Sequence, residues 1–323
     1  MSERQRALGA LQGLAIGDAL GMPTQLMSRG DIAETFGIID GFRDGPADHP
    51  IAAGMPAGSI TDDTEQALLV AHALIERDGH LDAGDLARRL AEWEDGMRAR
   101  GSLDLLGPST RAAVAAVLAG TPPEEAGRYG ATNGAAMRVT PVGIAVPPAK
   151  SMIRLIDAVH DSARASHDTG VAISAAAAVA AAVSAGISGA TWREATDQAV
   201  SAAQAAEARG HWVAGASVAA RIRLAIEQEH VDEIISLIGT SLASQESVPA
   251  AFGFLAIAQG DGWTATKLAA AAGGDTDTIA AIAGAIAGAC GSAFPDEAIA
   301  TVIAVNSLDL EPVVDGLLAL RAR

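Results

Sequence analysis

Two short acidic clusters contain the residues of this chain that are best suited to chemistry. Residues 273–278 read Gly-Gly-Asp-Thr-Asp-Thr, and residues 61–64 read Thr-Asp-Asp-Thr. Each cluster comes where a helical pattern begins, and the two glycines let the backbone turn sharply before the second cluster. Because the clusters are alike in composition but far apart in sequence, we expect the fold to bring them face to face.

These clusters offer only oxygen ligands, which favour magnesium, manganese or calcium over zinc. The candidate metal ligands are Thr61, Asp62, Asp63, Asp275, Asp277 and Thr278. Two divalent cations would cancel the charge of the four carboxylates, and one carboxylate could bridge cations roughly 3.5–4 Å apart. A helix cap is the alternative for residues 61–64, since Asp62 and Glu65 match a capping box. A cap needs only one oxygen-bearing side chain, so we predict a metal site.

Other polar residues lie among small or apolar neighbours. Asp18 ends a predicted first helix, where a buried carboxylate would need a cation or hydrogen-bond donors; a helix cap or surface turn is the alternative. Asn133 and Gly134 lie at a loop-to-helix junction whose amides could receive a phosphate, although Asn-Gly is more often only a turn. His167 follows Ser166 at a helix start, where a lone histidine is usually structural.

The elements that position these residues are predicted to be helices. Half of the residues are hydrophobic but only 3% are aromatic, so Ala, Leu, Ile and Val must fill the core. Such a core suits closely packed helices, and alternating β-branched runs between turn signals are missing. The sequence therefore predicts an all-α fold, with one compact domain of orthogonal helices over residues 1–323.

Helical periodicity covers most of the chain. The predicted segments are about 5–20, 61–76, 83–98, 108–119, 150–165, 168–186, 191–209, 213–228, 231–241, 249–258, 263–272, 277–290 and 311–321. Residues 22–59 are rich in Gly, Pro and Asp, which is typical of a partly ordered flap over a site. The spacing of Gly284 and Gly288 predicts the close approach of another helix in the core.

Composition excludes several classes of protein. A net charge of −17 argues against a nucleic-acid-binding surface. The single Cys290 rules out a disulfide framework within the chain, so we expect a cytoplasmic protein. Residues 171–190 are uncharged and long enough to cross a membrane, but Ala, Ser and Gly gain little from lipid. We therefore expect a buried helix, no membrane partner and a monomer.

Five motifs, taken in order, resemble those of the ADP-ribosylglycohydrolases. They are Gly-Asp-Ala-Leu-Gly at 17–21, Thr-Asp-Asp-Thr at 61–64, Asn-Gly-x-x-Met-Arg at 133–138, Ser-His at 166–167 and Gly-Gly-Asp-Thr-Asp-Thr at 273–278. The last motif, followed by a Gly/Ala-rich helix, is specific, whereas Ser-His alone is not. The resemblance spans nearly the whole chain.

This resemblance implies an all-helical domain that holds two magnesium or manganese ions beside a cleft for ADP-ribose. It divides the six candidate ligands between the ions, with Thr61, Asp62 and Asp63 on one, Asp275 and Thr278 on the other, and Asp277 bridging them. It makes Asp62, Asp63 and Asp277 the catalytic residues in hydrolysis at the anomeric carbon, with Asp62 or Asp63 relaying the proton.

The resemblance also implies the substrate contacts. Asn133, Gly134 and His167 would face the diphosphate and ribose, and Asp104 would orient the leaving guanidinium. Two positions depart from the family pattern. Many relatives carry Glu where this chain has Gln25, whose amide can ligate a metal but cannot act as a base. Ala131 stands where some relatives have an aromatic residue near the adenine.

The function expected from the residues and the resemblance is a two-metal N-glycosidase. Its partner would be a protein or small compound carrying ADP-ribosylated arginine, from which it releases ADP-ribose. One alternative is hydrolysis of O-linked ADP-ribose or of a nucleoside-like ribosyl bond at the same site. The other is a non-catalytic ADP-ribose binder, in which Gln25 marks lost activity.

Overall fold

Helices form every regular element in the part of the chain that the structure describes. This computed structural model describes residues 1–147 and 151–323. Within those ranges, strand-like pairing is limited to two isolated bridges, one between Thr132 and Ala243 and one between Thr169 and His211. The predicted all-α fold is confirmed. The predicted helix start at residue 150 lies outside the described residues.

The helices follow one another through short connections. In chain order they are α1 (Glu3–Gly21), α2 (Arg29–Phe36), α3 (Asp62–Glu76), α4 (Ala83–Ala99), α5 (Pro108–Leu118), α6 (Pro123–Ala126), α7 (Gly134–Met137), α8 (Thr140–Ala145), α9 (Met152–Ala163), α10 (Gly170–Ile187), α11 (Trp192–Ala206), α12 (Val218–Ile226), α13 (Val231–Glu233), α14 (Ser244–Ile257), α15 (Gly262–Ala270), α16 (Thr276–Ala289), α17 (Asp296–Asn306) and α18 (Glu311–Arg321). A 3₁₀ turn, Met22–Thr24, follows α1, and a π turn, Ile234–Ile238, follows α13.

Several helices depart from the predicted segments. The short helices α6 and α8, together with α2 and α17, were not predicted; in α2 only Ile32 is buried, so the sequence shows little periodicity there. The predicted loop-to-helix junction at Asn133 and Gly134 is the start of α7. The predicted start of α14 near residue 249 was wrong. The helix begins at Ser244 and holds Pro249 inside it, where burial outweighs the lost backbone hydrogen bond.

Helix α10 lies at the centre of the core. It is apolar and long enough to cross a membrane, yet 94% of it is buried inside the protein. Its alanine-rich surface is covered on several sides, among them by α8, α9, α11 and α16. Packing within the protein therefore accounts for its apolar sequence, as predicted for residues 171–190.

Helices α1 and α16 pack backbone to backbone. A Cβ built on Gly17 would lie 2.1 Å from the Ala280 carbonyl oxygen, and one on Gly21 would lie 2.4 Å from Asp277 Cα. Gly284 is the counterpart on α16, since a Cβ there would lie 2.0 Å from a backbone oxygen of α1. Only glycine permits these approaches. The contact places the end of α1 against the first turn of α16.

Candidate functional site

A cavity of about 300 Å³ lies where the first turns of α3 and α16 meet. Its wall includes apolar side chains such as Leu26, Leu103 and Leu242, all of them partly exposed. Of the predicted site residues, those that line the cavity are Asp62, Asp104, Asn133, Gly134, Asp275, Asp277 and Thr278. Thr61, Asp63 and His167 lie behind this lining, with no more than 1% of their surface exposed.

The fold brings the two acidic clusters together. Thr278 Oγ1 donates a hydrogen bond to Asp63 Oδ2 at 3.1 Å, although 215 positions separate the two residues. The α1–α16 packing fixes one side of this junction, and the first turn of α3 supplies the other. We call Asp62, Asp63, Asp104, Asp275 and Asp277 the acidic floor.

Asp18 holds the start of α3 in place from beneath the acidic floor. Its fully buried carboxylate accepts hydrogen bonds from Thr61 N at 3.0 Å and Thr61 Oγ1 at 2.7 Å. It also accepts from Thr64 N at 3.1 Å and from the Thr64 hydroxyl. Burial raises the pKa of Asp18 to about 6 in spite of these bonds. Asp18 is therefore a buried carboxylate that hydrogen-bond donors satisfy, and it does not lie in a surface turn. From α1 it accepts from backbone N–H groups at the start of α3, as a helix cap does.

The acidic floor, in contrast, has open oxygen atoms. Asp63 Oδ1, Asp104 Oδ2 and Asp277 Oδ1 are buried without a hydrogen-bond partner among the described residues. Burial, followed by the charge of neighbouring carboxylates, raises the pKa of Asp63 and Asp277 well above the usual range. The same causes act on Asp62 and Asp104. An unpaired buried carboxylate is strongly unfavourable, so cations would stabilise this cluster.

The donor set fits hard divalent cations. All the open atoms are carboxylate oxygens, the ligands that magnesium and manganese prefer. In the described ranges, no three acidic, histidine or cysteine side chains are grouped so that together they could hold a metal ion. The fit therefore rests on the open oxygen atoms and their chemistry.

Asn133 orients one floor carboxylate. Its Nδ2 donates to Asp275 Oδ2 at 2.5 Å and to Ser247 Oγ at 3.0 Å. Asp275 is also fixed through its backbone, whose N–H donates to the Thr240 carbonyl at 2.8 Å. The preceding Gly274 has φ of +86°, and a Cβ there would lie 2.2 Å from that carbonyl oxygen. The predicted contact of Asn133 with substrate stays a prediction, while its amide supports Asp275.

His167 lies one layer behind the cavity. Its Nδ1 is 2.8 Å from Ser166 Oγ, and its Nε2 is 2.8 Å from Thr132 Oγ1. Burial and then the charge of Arg138 lower the pKa of His167 well below its usual value, so the ring is neutral. Gly134 leaves room for this ring, because a Cβ there would lie 2.8 Å from His167 Cε1. The predicted substrate contact of His167 would need an intermediary such as Thr132.

Sequence reasoning missed the buried cation of the site. Arg138 is 1% exposed, and its Nη1 donates to Gln66 Oε1 at 3.1 Å. Gln66 Nε2 in turn donates to Asp62 Oδ2 at 2.9 Å. Burial lowers the pKa of Arg138 to about 10, which leaves it charged at neutral pH. The Asn-Gly-x-x-Met-Arg motif contains this arginine, so the motif was the signal that could have identified it. The arginine side chain lies in the core behind the cavity and does not line the cavity itself.

Comparison with known proteins agrees with this geometry. The sequence profile described as ADP-ribosylglycohydrolase matches residues 1–323. The chain belongs to the ADP-ribosylglycohydrolase family. The resemblance read from the five motifs is thereby confirmed.

Relatives of this ADP-ribosylglycohydrolase include both characterised and uncharacterised proteins. It is 36% identical to the uncharacterized protein YegU of Escherichia coli (strain K12), over 97% of this chain and 96% of that protein. It is 34% identical to the ADP-ribosyl-[dinitrogen reductase] glycohydrolase of Rhodospirillum rubrum, over 45% of this chain and 46% of that protein. A solved structure described as an ADP-ribosylglycohydrolase-related protein complex aligns with a TM-score of 0.72 and 27% identity, covering 99% of this chain and 98% of the other.

Family membership fixes the class of reaction. ADP-ribosylglycohydrolases hydrolyse ADP-ribosyl bonds, act on ADP-ribosylated substrates and are generally metal-dependent. In this ADP-ribosylglycohydrolase, Gln25 is 5% exposed, lines the cavity, and has its Nε2 buried without a partner among the described side chains. Gln25 thus places a neutral amide in the cavity lining.

Proposed function

We propose that this protein is a two-metal N-glycosidase that hydrolyses the bond between ADP-ribose and arginine. Its substrate is an ADP-ribosylated protein or small compound, and its product is ADP-ribose. A single domain over residues 1–323 would contain the whole site. The observation that carries the proposal is the acidic floor, in which three buried carboxylate oxygens beside the cavity lack partners among the described residues. Monomeric state and cytoplasmic location stay predictions from the sequence.

The two cations would be magnesium or manganese. Their ligands would be Thr61, Asp62 and Asp63 on one side, Asp275 and Thr278 on the other, and Asp277 between them. When bound, the cations would supply the Lewis acidity that makes water nucleophilic at neutral pH. Asp62 or Asp63 would take the proton from that water. The support of Asp62 by Gln66 and of Asp275 by Asn133 keeps both carboxylates aimed at the cavity.

Asp104 supports arginine as the leaving group. Its carboxylate is 4% exposed, lines the cavity among Leu103 and Leu106, and has one oxygen without a partner among the described residues. A buried carboxylate between apolar groups is stabilised by a cation that brings its own hydrogen-bond donors. The guanidinium of arginine has this charge and geometry, whereas a serine hydroxyl or a neutral base does not.

Gln25 supports the second candidate function. Its unpartnered amide N–H group suits an oxygen acceptor, such as the leaving oxygen of O-linked ADP-ribose. Its lack of basicity also keeps a non-catalytic ADP-ribose binder among the alternatives. These candidates differ in which bond, if any, is cleaved.

Release of ADP-ribose from three substrates separates the candidates. ADP-ribosyl-arginine, O-linked ADP-ribosyl-serine and a purine nucleoside would each be incubated with the full chain and magnesium or manganese. We expect turnover of the arginine compound, and a loss of about 100-fold in kcat/KM for Asp104→Asn. The control Asp95→Asn changes an exposed carboxylate on α4 and should leave turnover unchanged. Turnover of the serine compound alone would favour the second candidate, and binding without any turnover would favour the non-catalytic one.

A further inference from the structure

A line of buried polar groups runs behind one side of the cavity, and we call it the polar wall. Its members are Gln66, Arg138, Ser166, His167 and Thr132. Arg138 lies in the middle, with Nη1 bound to Gln66 Oε1 at 3.1 Å and Nη2 bound to Ser166 Oγ at 2.5 Å. Both ends of the wall reach the cavity, at Asp62 through Gln66 and at Thr132.

Arg138 sets the direction of every hydrogen bond in the polar wall. A guanidinium only donates, so Gln66 Oε1 and Ser166 Oγ must both accept. The Gln66 amide group then faces Asp62, which needs a donor. In the described part of the chain Ser166 Oγ contacts only Arg138 and the adjacent imidazole, so its own proton goes to His167 Nδ1.

His167 continues this donor-to-acceptor order toward the cavity. A neutral imidazole has one donor nitrogen and one acceptor nitrogen. Because Nδ1 accepts from Ser166, the ring proton is on Nε2, which donates to Thr132 Oγ1 at 2.8 Å. The lowered pKa of His167 agrees with a neutral ring.

Thr132 is therefore left with a free proton at the cavity surface. His167 is the one hydrogen-bond partner of its hydroxyl among the residues described. Its backbone is held by the bridge to Ala243 and by the bond from Ser244 Oγ to its carbonyl at 2.7 Å. The hydroxyl consequently has a fixed position, an occupied acceptor site and an available donor.

We infer that Thr132 is a substrate-binding residue that donates a hydrogen bond to an oxygen of ADP-ribose, and that Arg138 imposes this polarity through Ser166 and His167. The inference rests on the proposed function for the identity of the ligand. The acidic floor presents acceptors, which repel substrate oxygens unless cations lie between them. A donor elsewhere in the cavity lining gives those oxygens a partner that needs no cation. Arg138, Ser166 and His167 are thus positioning residues.

Calorimetric titration of ADP-ribose into the manganese-loaded full chain tests the role of Thr132. We expect Thr132→Val to weaken binding about tenfold, as for the loss of one hydrogen bond to a charged acceptor. Thr132→Ser should restore most of the affinity, and the Kd for Mn²⁺ should stay unchanged in both variants. ADP as a second ligand narrows the acceptor, since an equal loss on ADP assigns it to the ADP part of the ligand and no loss assigns it to the terminal ribose.

A double-mutant cycle tests the coupling to Ser166. Ser166→Ala should weaken ADP-ribose binding about threefold in the wild type and have no effect in Thr132→Val, because the two changes act on one contact. Ser184→Ala is the matched control. Ser184 accepts a hydrogen bond from another buried arginine, Arg321, at 3.1 Å, on α10 away from the cavity lining. It should lower Tm and leave ADP-ribose affinity unchanged.

The ¹⁵N signals of the His167 ring test the direction without any ligand. We expect a neutral ring protonated on Nε2, and a change of tautomer or exchange between tautomers in Arg138→Met. A ring protonated on Nδ1 would overturn the inferred polarity. Unchanged ADP-ribose affinity in Thr132→Val would overturn the substrate contact and leave the proposed function standing. A wild type that binds no ADP-ribose would overturn the proposed function and this contact with it, while the ring signals still decide the direction.

Discussion

The acidic floor and the polar wall border the same cavity but are completed in different ways. In the floor, Asp63 and Asp277 keep buried oxygen atoms without partners among the described residues, and their pKa values are raised by burial and mutual repulsion. In the wall, His167 has both ring nitrogens bonded and Arg138 has Nη1 and Nη2 bonded, with only its Nε unpartnered among those residues. The chain itself therefore satisfies most of the wall, whereas the floor leaves several carboxylate oxygens open to cations.

This difference indicates a division of tasks. A satisfied buried network is rigid and holds one geometry, while an unsatisfied one is unfavourable until a ligand arrives. The wall would then hold the substrate in a fixed orientation, and the floor would bind the ions that drive the chemistry. The predictions below alter the floor or the wall separately, so that each change should affect one function and spare the other.

Asp277→Ala should have the largest effect. It removes the carboxylate that we propose bridges the two cations, so the Kd for Mn²⁺ should rise at least 100-fold and activity should fall to about 1% or less. Calorimetry with Mn²⁺ and turnover of ADP-ribosyl-arginine measure the two losses. Asp309→Ala, at an exposed position before α18, is the control. Retention of metal and activity would remove Asp277 from the centre of the site.

Removal of metal should reverse the pH dependence expected of ordinary carboxylates. Groups with raised pKa values favour the protonated folded state, so their contribution to stability is lost as pH rises through the folded pKa. For Asp18 that pKa is about 6. The metal-free protein should be less stable to denaturant at about pH 8 than at about pH 5. Manganese at 100 times its Kd should add about 2.7 kcal/mol near pH 8. Stability that rises with pH in the absence of metal would contradict the raised pKa values of the buried carboxylates in the acidic floor.

Asp18→Asn should weaken metal binding without touching the cavity. The amide keeps the size of the side chain but brings a donor toward the Thr61 and Thr64 donors, so the start of α3 should shift. We expect about tenfold weaker Mn²⁺ binding, as for other supporting residues around metal ligands. Asp82→Asn is the matched control, since Asp82 caps the distant α4. It should lower Tm slightly and leave Mn²⁺ affinity unchanged.

Gly134→Ala should disturb only the wall. The added Cβ would lie 2.8 Å from His167 Cε1 and 3.2 Å from Thr110 Oγ1, so the imidazole must move. ADP-ribose binding should weaken about threefold, because the hydrogen bond from Thr132 would lose part of its binding free energy. Mn²⁺ binding should not change. Gly96→Ala on α4, where no atom lies within 4 Å of the new Cβ, is the control. A change in Mn²⁺ affinity for Gly134→Ala would show that floor and wall are not separable.

The sequence predicted the helices and the floor better than the wall. The acidic helix starts and the glycine spacing of α16 are local patterns, which periodicity and residue type reveal. The contact of Arg138 with Gln66 joins residues 72 positions apart, and its contact with Ser166 joins residues 28 apart. No local pattern specifies such pairs, because the packing of α3, α7 and the α9–α10 connection creates them. The predicted start of α14 near residue 249 was wrong for the same reason, since tertiary burial keeps Pro249 inside the helix.

The central claim is that carboxylates from early and late in the chain share two divalent cations. An anomalous difference map from crystals grown with Mn²⁺ tests it most directly. We expect two peaks roughly 3.5–4 Å apart, with Asp63 beside one peak and Asp277 between the two. A map with no peak at the acidic floor, in crystals whose manganese binds elsewhere, would contradict the account.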